Sequence, residues 1–164
     1  MKYNGSCIER YITSIYLICI FAIIVIVKYL WQKNVLGPFI FADEGEYFNI
    51  ARVMALKGTW IKSIYNPLYP FLLSPALKYC SPIGAYEISK IVNILIFTSS
   101  LFFLYPLALR LFNTRPVALM VSSLAVLLPL GSSTFLIWAN PLSYFLYFAS
   151  AFSIIKLTEL PHSI

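Results

Sequence analysis

Acidic side chains are scarce in this sequence. Six Asp and Glu stand against twelve Lys and Arg in 164 residues, only 11% of positions are charged, and there is a single histidine. A soluble domain devotes roughly 25% of its residues to charge; so little of it, beside 60% hydrophobic residues, excludes that class and points to a membrane protein. His162 has no Cys or His neighbour at ligand spacing, which argues against a zinc centre. Cys7, Cys19 and Cys80 fall in separate segments and predict no internal disulfide. A phosphate-binding glycine loop, a nucleophile elbow and a Cys/His cluster are also missing, so nothing supports cytoplasmic nucleotide-driven chemistry. The net charge of +6 comes from basic residues scattered beside apolar runs. That distribution suits anionic lipid and argues against nucleic acid as a partner.

The sequence does contain long uncharged runs. A helix needs about 20 apolar residues to cross a hydrocarbon core of roughly 30 Å, and the positions of the charges predict an all-α polytopic protein of about four spans. The first covers residues 11 to 31, interrupted only by Lys28, whose stem is expected to carry its ammonium to the headgroups, with Tyr29 and Trp31 in the interfacial belt. Its apolar run is too long for a cleavable signal, so it reads as a retained helix. The second covers 91 to 109, where Asn93, Thr98, Ser99 and Ser100 offer small or polar packing surface. The uncharged stretch between Arg115 and Lys156 suits two further spans, 116 to 131 and 135 to 156, turning near residues 129–133, with Asn140-Pro141 as an alternative break. Lys2, Arg10, Arg110, Arg115 and Lys156 then share one side. By the positive-inside rule that side is the cytoplasm, which places the N-terminus inside and the loop 32–89 outside.

Within that loop, Tyr47, Ile50, Ala51, Val53 and Met54 recur at helical spacing between Glu44 and Leu56, opposite Glu46, Asn49, Arg52 and Lys57. The pattern predicts an amphipathic helix lying on the membrane surface or against the bundle, closed by Gly58. A proline-rich apolar stretch, residues 66 to 77, is too short to span and reads as an interfacial or re-entrant element. Three of the six acids, Asp43, Glu44 and Glu46, gather at the head of the amphipathic helix. Asp43 directly before a helix, with Glu46 three residues on, has the spacing of a capping box. A carboxylate fixed at the water–lipid boundary is also a candidate general base or metal ligand. Glu87 is expected to be solvated or paired with Lys90, three residues on.

The order of one span, then Phe41-Ala42-Asp43-Glu44-Gly45-Glu46-Tyr47 leading to Ala51, then Gly58, Asn66-Pro67-Leu68-Tyr69-Pro70 and Ser74-Pro75 ahead of the second span, resembles the start of the GT-C glycosyltransferases. These multi-spanning enzymes use polyprenyl-phosphate sugars and include protein O-mannosyltransferases and the aminoarabinose transferase of lipid A. The resemblance covers roughly residues 38 to 78. It implies that Asp43 corresponds to the catalytic acid, with Glu44 as its motif neighbour, and that the donor is a lipid-linked sugar at the outer face of a bacterial inner membrane or endoplasmic reticulum. Family members have more spans than the four read here, so the resemblance also implies the N-terminal part of a larger enzyme, or a partner subunit supplying further helices. The family often carries a second acid at the start of the fourth span, where this chain has Asn140, which can bind a sugar but cannot act as a base. Arg52, Lys57 and Lys62 are the loop cations available to a leaving phosphate, although basic residues beside a membrane more often meet headgroups. Tyr69 is a candidate for stacking on a sugar, with interfacial anchoring as the alternative. The sequence leaves open whether a divalent metal cofactor takes part. A shortened, non-catalytic relative acting as a subunit or lipid-binding module is the competing reading.

Overall fold

The computed structural model describes residues 7–34, 42–59, 66–128 and 140–158, and every regular element in them is a helix. In chain order these are α1 (Cys7–Gln32), α2 (Ala42–Lys57), α3 (Leu68–Tyr79), α4 (Pro82–Ser99), α5 (Leu101–Phe112), α6 (Arg115–Leu127) and α7 (Asn140–Thr158). Four columns form a bundle: α1, the nearly continuous α4–α5, α6 and α7. The helix pair α2–α3 packs across one end of it.

Local chemistry accounts for most of the boundaries. Gly58, at φ +64°, closes α2 by donating its amide to the Met54 carbonyl at 2.8 Å, a left-handed cap that favours glycine. The Asn66 side chain accepts from the Leu68 amide at 2.9 Å and starts α3, and Pro70 lies in the first turn, where no intrahelical amide is required. Pro75 removes the amide that the Phe71 carbonyl would ordinarily accept from, and the Ser74 hydroxyl donates to that carbonyl instead, at 2.8 Å. Ser81 caps α4 through the Gly84 amide, with Pro82 in the first turn. Asn113, left-handed at φ 55°, ends α5, and Thr114 alone separates it from the start of α6.

Three apolar layers stack along the bundle. At the α2–α3 end, Ala51, Tyr69, Leu73, Tyr86 and Leu142 pack together. Ile24, Phe97, Leu101 and Val126 fill the middle, and Tyr105, Ala108 and Ala118 the far end. The pairings run α1 antiparallel to α4–α5, α5 antiparallel to α6, and bring the start of α7 beside α2 and α3. At the far end Arg115 bridges to Glu9 at 3.0 Å. Ser89, Ser99, Ser122 and Ser153 each donate to the carbonyl four residues back in their own helix, so these hydroxyls stay satisfied on an apolar surface.

Two helical stretches are long and apolar enough to cross a bilayer by length and composition: Tyr11–Gln32, of 22 residues, and Pro82–Phe112, of 31 residues. Along α1, Tyr11, Ile15, Ile18, Ile23, Ile26 and Leu30 are exposed large apolar side chains. The second stretch differs from the expected 91–109. The helix begins nine residues earlier, at Pro82, because Lys90 is buried and does not end it. Its ammonium pairs with Glu87 at 2.7 Å and lies over the Tyr86 ring. The expected third span appears as α6, whose 13 residues amount to roughly 20 Å at 1.5 Å per residue. The predicted turn at 129–133 lies outside the described residues. Asn140-Pro141 begins α7, so the described part of the fourth expected span starts at 140. Lys28 also departs from expectation. It is 1% exposed, with its ammonium 4.4 Å from the centre of the Phe97 ring, because its helix face meets α4 and not the headgroups.

Candidate functional site

The α2–α3 pair packs beside a group of buried polar side chains that includes Glu44, Tyr69 and Asn93. The predicted apolar face of α2 is the one that packs: Ile50, Ala51 and Met54 are buried, Tyr47 and Val53 half-buried, and Glu46, Asn49, Arg52 and Lys57 exposed. Helix α2 therefore lies against the bundle. Across from it, Tyr69 of α3 is fully buried and donates its hydroxyl to Asn93 Oδ1 of α4 at 2.7 Å. The Tyr47 ring meets the Tyr69 ring edge-on at 5.3 Å, and Phe48 lies 6.2 Å from Tyr86. Glu44, in the first turn and a half of α2, is 2% exposed and lies close enough to Tyr69 for its charge to act on it. Burial pushes the Tyr69 hydroxyl far above its ordinary titration range. Glu44, Tyr47 and Tyr86 reinforce that shift, and the bond its hydroxyl donates to Asn93 Oδ1 belongs to the neutral form. Tyr69 is thus a neutral donor across the biological pH range.

Position in the helix decides what the acidic triplet can do. Helix α2 is already formed at Ala42, so Asp43 sits inside its first turn and not ahead of it, and the capping-box register with Glu46 is displaced. The helix takes in two more residues at its head, Ala42 and Asp43, than the apolar periodicity from Glu44 required. The Asp43 side chain lies outside the described residues. Asp43 and Glu44, the second and third residues of the helix, stand where free amides and the positive end of the helix dipole favour carboxylates. Glu46 points to solvent, and Glu44 turns into the packed side.

The remaining predicted residues divide by location. Tyr69 and Glu44 come together, and Tyr69 is a packed hydrogen-bond donor with no exposed face on which to stack a sugar. Arg52 and Lys57 are exposed on the opposite face of α2, away from the cluster, and Lys62 lies outside the described residues. Asn140 is exposed at the head of α7, two residues before Leu142, which packs into the same layer as Tyr69. The sequence reading placed Asn93 on a packing face and offered Lys90 as a partner of Glu87, but it did not bring them to this site, and it missed Tyr86 and Gln32 as parts of the buried polar end. An Asn in an otherwise uncharged run was the available signal, since polar groups at membrane depth mark packed or functional faces.

A shallow cavity of about 250 Å³ opens between the end of α2 and α3, lined by Met54, Gly58, Thr59, Phe71, Ser74 and Lys78 among others. Among the described residues no three His, Cys, Asp or Glu side chains are grouped for a metal ion. Cys19 and Cys80 are free thiols. Neither a family model, nor a curated protein, nor a solved structure matches this chain.

Proposed function

We propose that the chain is a membrane glycosyltransferase, or the N-terminal portion of one, that moves a sugar from a polyprenyl-phosphate donor to an acceptor hydroxyl at the extracytoplasmic face. In this reading α1, α4–α5, α6 and α7 are the membrane columns. Arg110, Arg115 and Lys156 mark the cytoplasmic end, and α2–α3 forms the outer surface. The observation that carries the reading is the head of α2: the Asp43-Glu44 pair opens a helix seated on the bundle, with Glu44 turned into a buried cluster of tyrosines and Asn93. Such a seat fixes the first turn and so the position of the neighbouring Asp43.

The chemistry follows from those positions. Asp43 removes the proton from the acceptor hydroxyl as its oxygen bonds to the anomeric carbon. The bond from that carbon to the phosphate oxygen breaks, polyprenyl phosphate leaves with the electron pair, and the configuration inverts. Glu44 and Tyr69 act as positioning residues through the helix they anchor.

The test is the full chain reconstituted in vesicles with a radiolabelled polyprenyl-phosphate hexose and an acceptor. Asp43→Asn preserves a helix-terminal hydrogen-bonding group but removes the base. Transfer is expected to fall by about 10² to 10⁴ with thermal stability unchanged. Equal transfer by Asp43→Asn and the parent chain would sink the assignment. The closure of the Tyr69–Asn93 cluster favours a second reading, a non-catalytic lipid-binding subunit in which the acids serve the fold. Donor retained by the parent chain without transfer would select it.

A further inference from the structure

Opposite the α2–α3 end, α5, α6 and α7 leave a groove of about 370 Å³ between them, lined by Leu104, Leu107, Val121, Ala125, Phe148 and Ala151 among others, with Arg110 in the last turn of α5 at its rim. Lys156 directly follows the lining residue Ile155 at the end of α7. Leu111 and Tyr147, also on the groove, are 80% and 70% exposed. We propose that this groove takes one acyl chain of an anionic phospholipid, with the lipid phosphate against Arg110 and the positive charge of Lys156 nearby.

Three observations favour that occupant. The lining is apolar along the helices and contains one charged side chain, a cation, at the end where the helices stop. An acyl chain with a phosphate at one end has the complementary order of apolar body and anionic head. The volume is too small for a further helix, whose cylinder is about 10 Å across. A second copy docked by the same face would bring Arg110 and Lys156 of both copies together, since a two-fold contact pairs identical patches. The proposal rests on the membrane part of the reading above and is independent of sugar transfer.

The experiment uses the full chain reconstituted in vesicles of equal phosphatidylglycerol and phosphatidylcholine, then released in mild detergent and weighed intact. One phosphatidylglycerol per chain is expected, in at least tenfold preference to phosphatidylcholine. Arg110→Gln should cut that preference roughly fivefold, the usual effect of one basic residue at an anionic surface. Ala151→Phe, which fills the groove, should abolish retention. As a check that does not depend on that variant folding, a phosphatidylglycerol with a photoreactive acyl chain should crosslink within α5, α6 and α7 of the parent chain. Equal retention of both lipids, indifference to Arg110→Gln, crosslinks elsewhere, or a two-chain mass would each overturn the site. A chain that fails to float with the vesicles would instead sink the membrane reading itself.

Discussion

The two ends of this bundle are built on different principles. At the α2–α3 end, Tyr69, Tyr86, Asn93, Glu44 and Lys90 are removed from solvent; Tyr69 bonds to Asn93, and the buried Lys90 reaches out to the half-exposed Glu87. At the far end the layer is Tyr105, Ala108 and Ala118, the hydroxyl of Ser122 is satisfied within its own helix, and the ion pair of Arg115 and Glu9 stays partly exposed. Buried polar groups are expensive unless paired, and once paired they fix a single geometry. The far end holds its helices mainly by apolar area, whereas the α2–α3 end also places buried polar groups against particular partners.

Variants at both ends sharpen that contrast. The largest stability change is expected at Lys28, which lies between the middle layer and the polar end. Its ammonium has the Phe97 ring beneath it and no hydrogen-bond acceptor among the described residues. Lys28→Met keeps the volume and removes the buried charge, and should raise stability by about 1 to 3 kcal/mol, read as a higher unfolding temperature in detergent. A loss of stability would mean that the charge has an acceptor.

Tyr69→Phe tests the polar end itself. Deleting the hydroxyl leaves Asn93 Oδ1 without that donor and should cost about 1 to 2 kcal/mol. The pH dependence has a definite sign. Burial raises the folded-state titration of Tyr69 above the unfolded value of about 10, so its contribution is complete below that value. It is lost as pH rises beyond it, because the unfolded chain ionises first. The parent chain should therefore lose stability faster than Tyr69→Phe as pH rises above about 10. Parallel alkaline profiles would show that the hydroxyl is more accessible than its contacts indicate.

The smallest effect belongs to the far end. Glu9→Gln removes an exposed ion pair with Arg115 and should change stability by less than about 1 kcal/mol, and by less still in high salt. A loss comparable to that of Tyr69→Phe would erase the distinction between the two ends.

Much of the α2–α3 pair was legible because short-range rules govern it. The recurrence of Tyr47, Ile50, Ala51 and Met54 names the packed face, and Gly58 marks the end of the helix. Helix α3 has 12 residues, the short element the sequence indicated, and Glu87 and Lys90 sit at pairing distance. The burial of Lys28 and Lys90 was not legible, because a hydropathy reading treats each charge as a boundary. Whether a lysine ends a helix or is sheltered inside the bundle depends on the ring across from it, Phe97 in one case and Tyr86 in the other. The contact of Tyr69 with Asn93 joins residues 24 apart and depends on how α3 folds back on α4, which neither segment specifies alone. Glu44 shares the polar head of α2 with Glu46, yet helix geometry sends the two to opposite sides.

Lys28 also bears on how the chain is made. The first helix is synthesised with a cation on its packed side, and the aromatic ring that shelters it belongs to a helix that emerges from the ribosome only after α2 and α3. Until α4 arrives, that ammonium lacks the ring that covers it, and a lysine on an otherwise apolar helix is costly to bury without that partner. The described position of Lys28 is thus one that α1 cannot reach by itself: its charge is enclosed only when α4 closes over it, so the order in which the chain emerges sets when α1 can take up its packing.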